Sequence, residues 1–203
     1  MKHYTLAFLG LAATSVCADM IDGYEVFNGR KVVPLTMRGI VEPGGTEQVF
    51  NGTIQQIDAQ IRNISPNFSW KDFQPSVRSL PRPRRKRSGD VKVLCHVQNL
   101  RSAPRNDIVA IQNWLNDENQ ATELPVSGQS CTKFSCQGNA AFWFCNDNLG
   151  WIQKPTLTLG ELLNEIVEDK ECQDPGNSDF IQGQAFSQGG SYNVIVNWDV
   201  CSQ

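Results

Sequence analysis

Histidine is scarce in this chain: two occur in 203 residues, and His3 lies near the start. His96 is therefore the one base available to a serine or cysteine triad, and no Gly-x-Ser-x-Gly nucleophile motif accompanies it. Long apolar runs are also missing. Leu6–Ala13 falls well short of the roughly twenty residues that cross a bilayer, so no membrane span is expected. Cysteine is absent from 19–87, and Cys131-x4-Cys136 has no following Cys-x2-Cys, which argues against zinc. Cysteine set aside, basic charge is the other shortage. After Arg87, six Lys and Arg face fourteen Asp and Glu, a balance of −8, which disfavours nucleic acid as a partner. These shortages leave no catalytic, metal or cofactor residue to name, and a non-enzymatic protein without cofactors is expected.

What the chain does have is organised around one boundary. Residues 82–87 read Arg-Pro-Arg-Arg-Lys-Arg. Arg84, Arg85, Lys86 and Arg87 look like the site cut by kexin- and furin-type proprotein convertases, whose acidic pockets recognise closely spaced cations. All three Asn-x-Ser/Thr sequons precede this run, and six of the seven cysteines follow it. Residues 1–18 have the pattern of a secretory signal peptide: Lys2 and His3, then the apolar stretch, then Val16-Cys17-Ala18. The expected product is secreted and extracellular, with 1–18 removed as signal, 19–87 as pro-segment, and 88–203 kept as the mature domain.

The pro-segment carries eleven basic against seven acidic residues, opposite in sign to the mature domain, which favours docking of one on the other. Asn51, Asn63 and Asn67 are its glycan acceptors. Ile54, Ile57, Ile61 and Ile64 recur at helical steps, predicting an amphipathic helix near 53–64 stopped by Ser65-Pro66. The rest reads as mostly flexible. The isoleucine stripe needs a surface, and an apolar groove on the later domain would supply one.

In the mature domain, Val91–Val97 reads as a strand that includes Cys95 and His96, and Ile108, Ile111, Trp114 and Leu115 mark a helix of about twelve residues. Gln129–Cys136 and Ala140–Asn146 form two strands around a Gln-Gly-Asn turn, the second central because Phe142, Trp143 and Phe144 put apolar bulk on both faces. Thr158-Leu-Gly-Glu161 has the form of a capping box opening a helix with Leu159, Leu162, Leu163, Ile166 and Val167 as its buried stripe. The acids Glu161, Glu165, Glu168 and Asp169 then form its solvated side. Asp174–Asp179 is a loop, Gly183–Phe186 a short strand and Ser191–Cys201 the last long one. The order β-α-β-β-α-β predicts an α+β fold, an antiparallel sheet with two helices on one face. Cys95, Cys131, Cys136, Cys145, Cys172 and Cys201 predict three disulfides stabilising it. A split βαβ arrangement would bring Cys136 to Cys172.

Signal, cysteine-free leader, basic cleavage site and six-cysteine domain together resemble the small secreted effector and killer-toxin-like proteins of fungi. The local stretches are Cys131-Thr-Lys-Phe-Ser-Cys136, Ala141-Phe-Trp-Phe-Cys145-Asn-Asp-Asn148, and Gly183-Gln-Ala-Phe186 with Asn193-Val-Ile-Val196 before Cys201. The tail is similar to that of virally encoded fungal killer toxins, which implies their α/β-sandwich topology. This chain has fewer cysteines and an acidic domain, so no toxin site residue carries over. The resemblance implies a proteolytically matured virulence effector or toxin that binds a host or competitor protein. The alternative is a small secreted hydrolase or ribonuclease with an unrecognised active site.

Overall fold

The computed structural model describes residues 20–21, 24–75, 91–97, 100–117 and 122–201. The signal peptide and Arg84, Arg85, Lys86 and Arg87 lie outside the described residues. The N-terminal segment contains β1 (Met20–Ile21), β2 (Tyr24–Phe27), β3 (Arg30–Val32), β4 (Thr36–Ile40), β5 (Gln48–Asn51), α1 (Ile54–Ile64) and β6 (Gln74–Pro75). The later domain contains β7 (Lys92–Cys95), β8 (Ala103–Pro104), α2 (Arg105–Asn116), β9 (Glu123–Val126), β10 (Ser130–Gln137) and β11 (Ala140–Asn146). It continues through β12 (Ile152–Pro155), α3 (Thr156–Glu168), β13 (Gln173–Asp174), β14 (Asn177–Ile181), β15 (Gly183–Phe186) and β16 (Tyr192–Trp198).

The fold is α+β, mostly sheet with three α-helices among the described residues. Its main sheet runs β1-β2-β3-β10-β11-β16-β15-β7. β10, β11, β16, β15 and β7 pair antiparallel, while β3 joins β10 in parallel. β11 lies inside the sheet and is buried along its whole length, which explains its continuous apolar run. Its even-numbered residues Phe142 and Phe144 join Val194 and Val196 under α2 and α3. On the reverse face Trp143 packs with Ile195 and the Cys131–Cys145 pair. The two later helices are held side by side by Gln112 and Asn116, whose amides both donate to Asn164 Oδ1 at 2.9 and 3.0 Å.

The sheet order departs from the split βαβ expectation. β7 stands at the far edge beside β15, and β16 lies between β15 and β11. This placement corrects the expected Cys136–Cys172 pairing. Cys95 bonds Cys172, Cys131 bonds Cys145, and Cys136 bonds Cys201. Cys172 is buried in the core beneath the helices, whereas Cys136 packs with the Trp143 cluster on the opposite face. Three further readings change. α3 begins at Thr156 rather than Thr158, because the chain enters it directly from Pro155 and the Thr156 hydroxyl accepts from the Thr122 amide. Of the loop expected at Asp174–Asp179, only Pro175-Gly176 is a turn; Asp174 ends β13 and Asn177–Asp179 open β14, its hairpin partner. His96 is exposed just past β7 in a left-handed conformation (φ 51°), not within the strand.

Residues 24–75, expected to be flexible apart from one helix, are folded onto the later domain. β4 pairs with β5 and β6, and α1 lies beside them. Thr53 caps α1, its hydroxyl accepting from the Gln56 amide while Gln56 reaches back to the Thr53 amide. Ile54, Ile57 and Ile61 are buried in the same core as Ile108, Ile111 and Phe134; Ile64, past the contact, is exposed. Aromatic rings carry that core across the seam: Trp70 meets Trp114 edge-on at 5.8 Å, and Trp114 meets Phe134 at 5.3 Å.

Candidate functional site

Two neighbouring surfaces, joined at Asp147, concentrate exposed apolar groups and fixed polar ones. The first is the loop from Asp147 to Trp151 between β11 and β12. Leu149 is 86% exposed and Trp151 66% exposed, the two most exposed large apolar side chains described. Such side chains are ordinarily tolerated on mobile loops, but this one is tied down from beneath. Asn146, fully buried, donates its amide to the carbonyls of Val126 (3.3 Å), Ser127 (3.0 Å) and Gly150 (2.8 Å). Its Oδ1 accepts from both the backbone and side-chain nitrogens of Asn148, at 2.9 and 2.8 Å. Asn148 in turn donates to the Ser191 carbonyl, and the Gln129 amide to the Asn148 carbonyl. A preformed apolar protrusion loses little conformational freedom when it is covered.

The second surface is the reverse face of the sheet at β10. Trp143 is fixed there by donating from Nε1 to Asn197 Oδ1 at 2.9 Å, with the Lys133 ammonium 4.8 Å from its ring. Lys133 also pairs with Asp199 at 2.8 Å. Asp147 accepts from Asn193 Nδ2 on one oxygen (2.7 Å) and from Arg30 Nη2 on the other (2.8 Å). Arg30 belongs to the hairpin β2–β3, whose Phe27 ring stacks on Trp143 with centroids 3.9 Å apart and planes 9° from parallel. The hairpin thus covers Trp143 and Asp147 together. A groove of about 570 Å³ opens on the helical side of the seam, between α1 and α2, with Trp70, Trp114 and Phe134 in its wall. Gln55 spans its floor, donating to Ser135 Oγ at 2.6 Å and accepting from the Cys136 amide at 3.3 Å.

The sequon asparagines Asn51, Asn63 and Asn67 are all exposed on the N-terminal segment. The Asn51 side-chain oxygen accepts from the Thr36 hydroxyl at 2.7 Å. The six cysteines are all consumed in disulfides, so the cluster of Cys95, Cys172 and Asp169 offers no free thiolate to a metal. His96 is set near Asp174, whose carboxyl is held below the usual range by the Gly176 amide and the Ser102 hydroxyl, with His96 a lesser cause. No helix among the described residues is long and apolar enough to cross a membrane, and three disulfides fit an extracellular protein.

In the sequence, Cys145-Asn-Asp-Asn148 stands out only as part of a stretch carrying the resemblance, and the side chains just after it, Leu149 and Trp151, are passed over. Leu149 and Trp151, flanking a glycine just after an Asn-Asp-Asn turn, were the signal. Asn28-Gly29, the strongest short hairpin marker, was the signal for the strand pair that covers Trp143. No protein-family model, curated protein or solved structure matches this chain.

Proposed function

We propose that this is a secreted, proteolytically matured, cysteine-rich effector or toxin-like protein that acts by binding a protein of a host or competitor. The killer-toxin-like topology and the fungal resemblance belong to this proposal. So does maturation by a convertase at Arg84–Arg87. The observation that carries it is the Leu149–Trp151 protrusion immobilised by buried Asn146. Tryptophan beside an aliphatic residue, presented rigidly above a disulfide-strapped sheet, has the character of an interface anchor. The acidic balance of residues 88–203 adds selectivity for cationic surfaces.

The test applies purified secreted protein to leaf tissue and to competing fungi, alongside a Leu149→Ser/Trp151→Ser variant. Loss of two anchor side chains is expected to weaken the response by a factor of about thirty or more, the scale of a hot spot. The variant should keep all three disulfides and its melting temperature, since both side chains face solvent. An equal response from the variant removes the protrusion from the account. Turnover of RNA or polysaccharide that His96→Ala abolishes would replace binding with catalysis.

A further inference from the structure

From the seat of the β2–β3 hairpin we infer that the reverse face at β10 is a recognition site for a β-hairpin of a partner protein, which the N-terminal segment fills as an internal stand-in. This deepens the proposed function, on which it rests, by naming the kind of structure the domain would bind.

The hairpin's occupancy has three parts, each a recognisable mode of binding. Its backbone extends the sheet: Lys31 and Val32 register with Ser130 and Cys131, and the Val33 amide donates to the Cys131 carbonyl at 2.9 Å. This is strand addition to a sheet edge, which supplies affinity without regard to side chains. Phe27 stacks on Trp143, and Arg30 bonds Asp147; these two contacts supply the selection. Phe27 and Arg30 face one another across the Asn28-Gly29 turn, both of whose residues have positive φ (48° and 72°), as a tight two-residue hairpin requires. The site therefore reads an aromatic and a guanidinium held opposite each other beside a tight turn.

The receptacle is built independently of its occupant. Asn197 and Asn193 of β16 hold the Trp143 ring and the Asp147 carboxylate, and the Cys131–Cys145 disulfide straps β11 to β10, the strand the hairpin extends. The occupant is the less firmly anchored party. Val26, Phe27, Arg30 and Val32 are only half-buried, whereas Ile57 and Ile61 of α1 are fully buried. The hairpin can leave while α1 stays. The hairpin carries Arg30 and Lys31 against Glu25, a balance of +1, where residues 88–203 are acidic, so a cationic hairpin from another protein meets the same complementarity.

The experiment uses the full oxidised chain and a fluorescent, end-blocked peptide of residues 24–33, followed by anisotropy. In the wild type the tethered hairpin competes at an effective concentration of order millimolar, so the peptide should bind poorly. A Phe27→Ser/Arg30→Ser chain should bind it at least tenfold more tightly. Asp147→Asn added to that chain, or serine in place of the peptide's phenylalanine, should each cost tenfold or more. Arg30→Lys alone, which keeps the cation, should bind no better than wild type. Equal binding by wild type and the double variant, or binding indifferent to Asp147→Asn, overturns the site. Should the double variant fail to form its three disulfides, Arg30→Ser alone carries the same comparison. A protein that binds the peptide but leaves tissue and fungi unaffected keeps the site and loses the effector reading. One that acts on tissue but ignores the peptide does the reverse.

Discussion

At the scale of single residues, close approach and solvation make two kinds of demand on this molecule. Gly128 lies against the loop that carries Leu149 and Trp151: a β-carbon there would stand 1.9 Å from the Leu149 carbonyl oxygen. Because that oxygen is backbone, the loop itself must move. Gly128→Ala is expected to cost about 1–3 kcal/mol, the scale of overpacking, and to lower the melting temperature by several degrees. It should also reduce the tissue response, because the protrusion is re-aimed; an unchanged melting curve would show that the contact relaxes freely. Two carboxylates set opposite pH dependences. The Gly176 amide, then the Ser102 hydroxyl, depress the Asp174 pKa, so the stability it contributes is present above the ordinary carboxylate range and lost as pH falls. Burial raises the Glu123 pKa, with Lys154 partly offsetting it. The fold therefore favours its protonated form, and stability is lost as pH rises through that raised value. Melting temperatures measured from pH 3 to 7 should fall less steeply on the acid side for Asp174→Asn than for wild type. Glu123→Gln should gain relative to wild type toward neutrality. The reverse order would contradict the hydrogen bonds assigned to Asp174.

At the scale of elements, α1 decides whether the N-terminal segment is part of the fold. Ile57 and Ile61 are fully buried among residues of both halves, so Ile57→Ala should destabilise the full chain by about 2–5 kcal/mol. Chemical denaturation checks this, and a loss under 0.5 kcal/mol would mean a helix resting loosely on the surface. The elements differ in how far their residues disclosed them. α1, α2 and the buried stripe of α3 were legible because an apolar residue every three or four positions has few other uses. β11 was legible as a central strand from Phe142-Trp143-Phe144. The β9–β12 pair was not, since Pro125 interrupts one short run and Pro155 closes the other, and both are tolerated because the pair stands apart from the main sheet. Neither was the parallel meeting of β3 with β10, which joins positions about a hundred apart and leaves no local periodicity. The candidate surfaces were less legible than the fold. Leu149 and Trp151 mark the loop in the sequence, but their fixed display shows only once Asn146 is known to tie down the turn beneath them. The partners of Cys136 and Cys172 depend on which face of the sheet each occupies, which alternation alone does not settle among fifteen pairings.

At the scale of the whole molecule, the disulfides are graded by the chain they enclose. Cys95–Cys172 closes a separation of 77 residues, Cys136–Cys201 one of 65, and Cys131–Cys145 one of 14. By loop entropy, replacing Cys95 and Cys172 with serine should cost about 1.5 kcal/mol more than replacing Cys131 and Cys145. Denaturant midpoints of the two double variants measure the difference, and an inverted order would point to packing rather than chain entropy. All three crosslinks lie between residues 95 and 201, and none reaches the N-terminal segment. A single peptide-bond scission anywhere in 76–90 would therefore turn a permanent neighbour into a dissociable second chain. From that moment its hold would depend on how dilute the surroundings are. A dense secretory vesicle would keep the two pieces together, and escape into open fluid would let them part, so that volume itself becomes the trigger.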